Sequence, residues 1–225
     1  MTELRLGSIW YPTTDSNGVP IDTSTLYISA IYKELYWDGI YNDVLNRTGM
    51  VIIDMGANVG IITDHMRKFA SKVYAIEPSP EHFAALSKNK AFFGWDNVEL
   101  FNVAVADHNG EMFLAFESSN RTCNSITSNY GQGGVMVKTV ALDSFFEDNG
   151  IDEVDFIKMD VEGADDLILR SAGFAKVAPK IKAIEVEFHH SDWPALVSYV
   201  CTLGFTAKRY DSSAIIVLFT RNTDA

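Results

Sequence analysis

The residues best suited to chemistry in the first third of the chain form a loop, D-M-G-A-N-V-G, from Asp54 to Gly60. An apolar run precedes this loop and a helix-like segment follows it. This arrangement is typical of a strand end that binds a nucleotide-type ligand. The loop has neither the G-x-G-x-x-G pattern of dinucleotide sites nor the G-K-[ST] ending of phosphate loops. Its leading carboxylate would repel a phosphate and attract a cation. The loop therefore predicts a ligand with a positive group and no phosphate.

A second carboxylate, Glu77, ends the next strand-like segment, K-V-Y-A-I-E-P. At that position a carboxylate accepts two hydrogen bonds from a ribose diol. An adenosine without phosphates, joined to an ammonium and a sulfonium, describes S-adenosylmethionine. The predicted contacts to this cofactor come from the loop and the second strand: Asp54, Gly56, Asn58, Gly60 and Glu77. The alternative is that the glycines only shape a tight strand–helix turn, with Glu77 on a solvated strand end.

Two further segments place polar side chains at strand ends. F-I-K-M-D-V-E-G-A-D carries Asp160 and Glu162, and I-K-A-I-E-V-E-F-H-H carries Glu187 and His189. By strand alternation, Glu187 and His189 share a face, and His189 faces the same rim as Asp160. We predict His189 as a general base and Asp160 as the next candidate. The alternatives are that His189 is structural and that the acids after the strand cap the next helix. Asp160, Glu187 and His189 could also bind a metal ion, but we predict no metal.

Strand-like and helix-like segments alternate after an N-terminal stretch, which predicts a doubly wound α/β fold with a mostly parallel sheet. We divide the chain into an irregular segment with a helical cap, residues 1–45, and a domain of residues 46–225. The last two strands are predicted to pair as an antiparallel hairpin; their sequences are F-T-A-K-R-Y-D and A-I-I-V-L-F-T.

Local patterns predict several boundaries within this domain. Ser79 caps a helix with Pro80 at its first position. Residues 97–106 form one strand, and a helix of A-D-D-L-I-L-R-S-A-G ends at Gly173. The polar, turn-rich residues 117–134 are predicted to form a mobile surface loop, and the alternative is that they fold over the acceptor.

The composition and net charge of the chain argue against some classes of binding partner. The 225-residue chain has a formal net charge of −12, which argues against nucleic acid or an anionic membrane surface as a partner. No apolar run approaches the ~20 residues that span a bilayer, and the first residues do not resemble a secretory signal. Two cysteines without a C-x-x-C pattern are expected to be reduced thiols, and the expected location is cytoplasmic.

Four segments together resemble the FkbM-type S-adenosylmethionine-dependent methyltransferases: V-I-I-D-M-G-A-N-V-G-I-I-T, V-Y-A-I-E-P-S-P-E-H-F-A-A-L, V-A-L-D-S-F-F and F-I-K-M-D-V-E-G-A-D-D-L-I-L-R-S-A. The resemblance runs from about residue 34 to residue 204. It implies a Rossmann-like, seven-stranded methyltransferase sheet whose last two strands are antiparallel. It also implies O-methylation of a small molecule, with sugars among the acceptors. Fold analogy puts Asp107 near the adenine and Asp160 near the methionine end of the cofactor.

The expected reaction is an in-line displacement, in which His189 removes a hydroxyl proton while the acceptor oxygen attacks the sulfonium methyl. The expected partner is a small-molecule acceptor, with carbohydrates among the candidate classes. An amine acceptor would need the same base, so N-methylation stays open. Two competing hypotheses are a nicotinamide-dependent oxidoreductase and a non-catalytic S-adenosylmethionine-binding protein. The sequence gives neither the oligomeric state nor a role for residues 1–24.

Overall fold

The computed structural model describes residues 3–6, 9–12, 40–116, 124–126, 133–189, 192–210 and 214–222. Near the N-terminus, strands β1 (Glu3–Leu6) and β2 (Ile9–Pro12) pair antiparallel, although irregular structure was expected there. The difference is explained by the β-favouring Ile, Trp and Tyr of the second segment. A 3₁₀ helix, Ile40–Asp43, lies within the predicted helical cap, most of which falls outside the described residues.

Ten further strands and six α-helices form the rest of the described chain. The strands are β3 (Met50–Met55), β4 (Ala70–Ile76), β5 (Val98–Phe101), β6 (Ala104–Ala106), β7 (Gly110–Ala115), β8 (Gly134–Ala141), β9 (Phe156–Met159), β10 (Ala183–Phe188), β11 (Phe205–Arg209) and β12 (Ile215–Arg221). The helices are α1 (Ile61–Met66), α2 (Pro80–Phe93), α3 (Leu142–Asp148), α4 (Asp165–Leu169), α5 (Ala172–Val177) and α6 (Trp193–Thr202). A second 3₁₀ helix, Ala178–Lys180, follows α5.

The main sheet has seven strands in the order β11-β12-β10-β9-β3-β4-β5. Strand β3 pairs in parallel with β4 on one side and with β9 on the other. Strand β12 pairs antiparallel with both β10 and β11, as the predicted C-terminal hairpin requires. The chain therefore winds outward from β3 to β5 and then restarts at β9, which makes the β3–β9 junction the topological switch point.

The strands near this junction are buried on both faces, so their side chains pack into two separate hydrophobic cores, one on each face of the sheet. Ile53 and Met55 of β3 lie in one core with the side chains of α3 to α6. Ile52 lies in the other core with residues of α1, with Leu86 of α2 and with Trp95. This two-sided burial is typical of parallel sheets with helices on both faces, as predicted.

A three-stranded side sheet, ordered β6-β8-β7, lies apart from the main sheet. The prediction of one strand over residues 97–106 is therefore wrong: β5 ends at Phe101, and β6 joins the side sheet. The break occurs at Asn102, whose side-chain amide donates to the carbonyl oxygens of Glu77 (2.8 Å) and Pro78 (3.1 Å). The chain is tied there to the end of β4.

Two predicted helix boundaries have opposite outcomes. Ser79 does cap α2: its hydroxyl accepts the His82 N–H, and Pro80 is the first helical residue. Gly173, however, does not end a helix. Helix α4 stops earlier, and Ser171 begins α5 by accepting the N–H of Phe174 at 3.0 Å. Gly173 lies within α5, where a Cβ would come within 2.6 Å of Asp143 Oδ1. Close packing therefore explains this glycine.

Candidate functional site

A cavity opens at the carboxyl ends of the strands beside the switch point. Its empty volume is about 610 Å³, a figure that includes open solvent at its mouth. Its described lining residues are Met55, Gly56, Asn58, Ile76, Glu77, Pro78, His82, Val103, Ala104, Val105, Leu114, Asn124, Ile126, Asp160, Val161, Glu162 and Ala164. The charged side chains among these lining residues are Glu77, Asp160 and Glu162, and no lysine or arginine is among them. The described wall is therefore suited to a ligand without phosphates.

The loop after β3 forms one wall and approaches β9 very closely. Gly56 has a φ of +81°, and a Cβ built on it would lie 1.8 Å from the carbonyl oxygen of Asp160. Only glycine fits such a contact. The Gly56 N–H donates to the Ile76 carbonyl at 3.0 Å, which ties the loop to β4 as well. The loop is thus fixed against both neighbouring strands, and its predicted members Gly56 and Asn58 line the cavity.

Glu77 also lines the cavity, but its side chain is more buried than expected for a residue on a solvated strand end. It is 5% exposed, and its two carboxylate oxygens accept the N–H groups of Asn58 and Ser79, each at 2.8 Å. His82 Nδ1 lies 3.7 Å from Oε1. Each carboxylate oxygen can accept more than one hydrogen bond. Glu77 therefore shapes the loop and keeps capacity to accept hydroxyl groups of a ligand.

Asp54 and Gly60, both predicted cofactor contacts, are not among the described residues that line the cavity. Asp54 is fully buried and accepts the Thr63 hydroxyl at 2.6 Å. Burial raises the pKa of this carboxyl, against the opposing effect of the Lys158 ammonium 3.7 Å away. Gly60, with a φ of +95°, begins α1, and a Cβ on it would press on the Leu86 side chain at 2.7 Å. Both residues have structural partners that account for them.

Asp107 likewise lies outside the described cavity wall. Its side chain is 42% exposed and contacts the exposed ring of His108, with Asp107 Oδ1 2.6 Å from Nδ1. The fold analogy put this acid at the adenine end of the cofactor. The wall nearest to it in sequence is instead formed by Val103, Ala104 and Val105, which present apolar surface. The structure thus offers no support for Asp107 as a cofactor contact.

Asp160 and His189 are brought together at the rim, as predicted, and Glu162 joins them. Ligand atoms of these three residues all lie within 4.8 Å of one another. His189 Nε2 is 3.6 Å from a Glu162 oxygen and 3.5 Å from a Glu187 oxygen. Burial opposes a charge on the ring, but the carboxylates of Glu162, Asp160 and Glu187 outweigh it and raise the pKa of His189. The ring is thus a proton-accepting group surrounded by acids.

The chain reversal that presents Glu162 could not be read from the sequence. Glu162 has a φ of +51°, in the left-handed region that few residues other than glycine adopt. This conformation turns the chain back directly after β9, so that Glu162 lies beside His189 instead of only leading into α4. Sequence reasoning considered helix capping and catalysis equally for this acid. The cavity wall and the ion pair place it at the rim.

A metal at this rim, the alternative with Asp160, Glu187 and His189, would use a slightly different set. Asp160, Glu162 and His189 are the described residues with a suitable spacing for a common ion. A metal-bound histidine usually donates its other ring N–H to an acceptor. His189 Nδ1 is buried and has no hydrogen-bond partner within the described chain. The support that a resident metal ligand normally has is thus missing from this part of the structure.

Residues 117–134 were predicted to be a mobile surface loop, and for the described piece, residues 124–126, this is wrong. Ser125 is fully buried and pairs through its backbone with Ala115. Its hydroxyl donates to the Glu162 carbonyl at 2.7 Å. Asn124 and Ile126 on either side line the cavity. Polar composition suggested exposure, but a serine hydroxyl bonded to a backbone carbonyl is compatible with complete burial.

Comparison with known proteins agrees with this geometry. The family model "Methyltransferase FkbM domain" matches residues 54–207. A 2-O-methyltransferase, NoeI, of Sinorhizobium fredii is 27% identical over 165 residues, which cover 64% of this chain and 65% of the relative. The hexuronic acid methyltransferase AglP of Haloferax volcanii is 26% identical over 141 residues, which cover 62% of this chain and 56% of the relative. The chain thus spans less than two thirds of the length of these two curated relatives.

Solved structures match the fold. The crystal structure of methyltransferase FkbM from Methylobacillus flagellatus has a TM-score of 0.59 at 14% sequence identity. The match covers 84% of this chain and 47% of that one. The seven-stranded, mostly parallel sheet with its antiparallel C-terminal pair is therefore the predicted Rossmann-like methyltransferase sheet. None of the helices in the described residues is long and apolar enough to cross a membrane. With a family model matched over most of its length, the chain belongs to the FkbM methyltransferase family.

Proposed function

We propose that this protein is an S-adenosylmethionine-dependent methyltransferase that methylates a hydroxyl group of a small molecule, with sugars as the leading acceptor class. The observation that carries the proposal is the cavity wall at the switch point. It combines the Gly56–Asn58 loop with the carboxylates of Glu77 and Asp160, and its described lining residues include no lysine or arginine. Such a wall suits an adenosine and a sulfonium better than a dinucleotide.

The cofactor contacts are proposed from the residues that line the cavity. Glu77 accepts the ribose hydroxyls, the Gly56–Asn58 loop contacts the ligand through its backbone, and Asp160 faces the positively charged methionine end. S-adenosylmethionine, when bound there, supplies a methyl group on sulfur whose departure leaves a neutral thioether. No acid and no metal are needed to assist such a leaving group.

His189 is the proposed general base at the rim. The ring would take the proton of the acceptor hydroxyl during methyl transfer, and Glu162 and Glu187 would stabilise the resulting imidazolium. Because nearby acids raise the pKa of His189, the neutral ring that accepts a proton becomes the main form at a higher pH than in an ordinary histidine, so turnover should rise with pH over that range. The relatives named as a 2-O-methyltransferase and a hexuronic acid methyltransferase support an oxygen acceptor on a sugar or similar polyol.

Calorimetry with S-adenosylhomocysteine and, separately, with NAD tests the cofactor assignment. We expect S-adenosylhomocysteine to bind and NAD not to bind. NAD binding without S-adenosylhomocysteine binding would overturn it. A panel of neutral sugars, uronic acids and amines, incubated with S-adenosylmethionine labelled on the methyl group, then tests the acceptor class. Label transfer to amines alone would replace the oxygen acceptor by nitrogen.

A further inference from the structure

Lys158 is a buried cation next to the cavity that the proposed mechanism does not use. It lies in β9, between β3 and β10, and is 6% exposed. A buried ammonium is costly unless it is paired and hydrogen-bonded. It lies at the switch point and contacts two residues of the cavity wall, Gly56 and Asp160, which suggests that the pairing does more than neutralise charge.

The Lys158 ammonium contacts both sides of the junction. It donates to the Gly56 carbonyl at 3.0 Å and to an Asp160 carboxylate oxygen at 3.3 Å. A weaker contact of 3.7 Å joins it to the buried carboxylate of Asp54. Burial alone would lower the pKa of Lys158, but Asp160 and Asp54 outweigh it and raise the pKa, so the side chain stays charged.

Its two closest partners both line the cavity, whereas Lys158 is not among the residues that line it. Gly56 is held at both of its peptide groups, because its N–H donates to Ile76 and its carbonyl accepts from Lys158. Asp160 is held on one side by Lys158 and lies on its other side within reach of Glu162 and His189. The ammonium therefore ties the cofactor loop to the acid that faces the base.

We propose that Lys158 is a positioning residue that fixes the Gly56 loop and the Asp160 carboxylate in the arrangement that binds the cofactor. This inference rests on the proposed S-adenosylmethionine site. It assigns Lys158 a role through Gly56 and Asp160, with no direct contact to cofactor or acceptor. A residue that only balanced the charge of Asp54 would be dispensable once Asp54 is neutral.

That difference gives the test. Four proteins are compared: wild type, Lys158→Met, Asp54→Asn and the double variant Lys158→Met/Asp54→Asn. Lys158→Met alone leaves the buried Asp54 carboxylate without the ammonium and should lose much thermal stability, since breaking a buried pair strands a charge. The double variant removes that charge, so its melting temperature should recover towards that of Asp54→Asn. Any direct effect of Asp54 is present in both proteins and cancels in their comparison.

The readouts are affinity for S-adenosylhomocysteine and backbone amide NMR signals. The double variant should bind about 10-fold more weakly than Asp54→Asn, the lower end of what orienting partners contribute at metal sites. The amide signals of Gly56 and Asp160 should shift in the double variant relative to Asp54→Asn. Equal affinity and unshifted signals in a folded double variant would overturn the positioning role. Failure of the wild type to bind S-adenosylhomocysteine would instead remove the proposed function.

Discussion

The two sides of the switch point use carboxylates in opposite ways. On the β3–β4 side, Glu77 is buried, and both of its oxygens accept backbone N–H groups. On the β9–β10 side, the side chains of Glu162 and Glu187 are 21% and 25% exposed and approach a single imidazole. The first arrangement fixes backbone shape before any ligand arrives. The second keeps charge available for a proton, so we expect mutations on the two sides to affect different measurements.

The largest effect should come from Gly56→Ala on the β3–β4 side. A Cβ there would lie 1.8 Å from the Asp160 carbonyl oxygen, so strands at the junction must move apart. We expect a loss of more than about 3 kcal/mol in the free energy of unfolding, at the upper end of overpacking costs, and no measurable S-adenosylhomocysteine binding. Urea denaturation and calorimetry measure the two effects.

Gly94→Ala is the matched control for that substitution. Gly94 also has a positive φ, +62°, but a Cβ added to it would meet nothing within 4 Å. It should lose only about 1 kcal/mol, from backbone strain alone, and keep its ligand affinity. Similar losses in the two variants would show that the close approach of Gly56 to β9 is not what makes glycine necessary.

On the β9–β10 side, His189→Gln should lower turnover by about 10²–10⁴-fold, the range for loss of a general base. S-adenosylhomocysteine affinity should stay near that of the wild type, because the ring is not among the lining residues described for the cavity. Rate and affinity are measured on the same preparation, with an acceptor identified in the panel. Raising the pH should restore part of the rate, since an ionised acceptor needs no base.

His108→Gln is the control for that variant, because His108 also pairs with a carboxylate but is exposed and outside the described cavity wall. Its turnover should match that of the wild type. If His189→Gln loses affinity and thermal stability while its rate per folded molecule is unchanged, the histidine has a structural role and Asp160 becomes the candidate base.

Glu77→Gln should have a smaller effect, but on both stability and cofactor binding. The amide cannot accept both the Asn58 and the Ser79 N–H groups, because one of its ends is a donor. We expect S-adenosylhomocysteine affinity to fall by about 10- to 100-fold, the scale of hydrogen bonds to a charged group. Glu99→Gln, which breaks an exposed pair with Lys72, should change little. Unchanged affinity in folded Glu77→Gln would remove Glu77 as the ribose contact.

The smallest expected effect is the pH dependence of stability that His189 contributes. The folded-state pKa of His189 is raised by Glu162, Asp160, Glu187 and Asp165, so its ion pairs stabilise the fold fully below the unfolded value of about 6.5. That contribution is lost as the pH rises through the folded-state pKa. For part-exposed pairs it should be about 1 kcal/mol or less.

Urea denaturation of the wild type and His189→Gln between about pH 5.5 and 9 measures this contribution. The difference in unfolding free energy should be largest at the acid end, where the folded ring and an unfolded histidine are both mostly charged, and should fall to a pH-independent remainder at the alkaline end. A difference that grows with pH would mean that the folded-state pKa is lowered.

Sequence reasoning reached what depends on local pattern and on strand ends. The alternation of elements, the Ser79 cap and the hairpin pairing of β11 with β12 all follow from neighbours in the chain. The grouping of Asp160 with His189 followed from the rule that parallel strand ends share an edge. Sequence reasoning did not predict individual contacts between residues on different strands. The contact of Lys158 with Gly56 was not predicted, because the two residues lie 102 positions apart in the sequence.

Other differences came from backbone conformation and from specific side-chain bonds. In the turn after β9, Glu162 has a positive φ although it is not a glycine. The split between β5 and β6 depends on the Asn102 amide bonding to the end of β4, within a segment that otherwise reads as one continuous strand. The burial of Ser125 depends on its bond to the Glu162 carbonyl. Composition averages over such single contacts, and so it predicted a mobile surface loop over all of residues 117–134.

The junction of β3 with β9 also constrains how the protein folds. The contact of Asn58 with Glu77 closes a segment of 19 residues, whereas that of Lys158 with Gly56 closes one of 102. The entropic cost of the longer closure is about 1.5 kcal/mol greater if it scales with the logarithm of length. Distant pairings of this kind also slow folding. The β3–β4–β5 unit can therefore form early, and the cavity is complete only when β9 docks, so ligand binding during refolding would report the arrival of that strand.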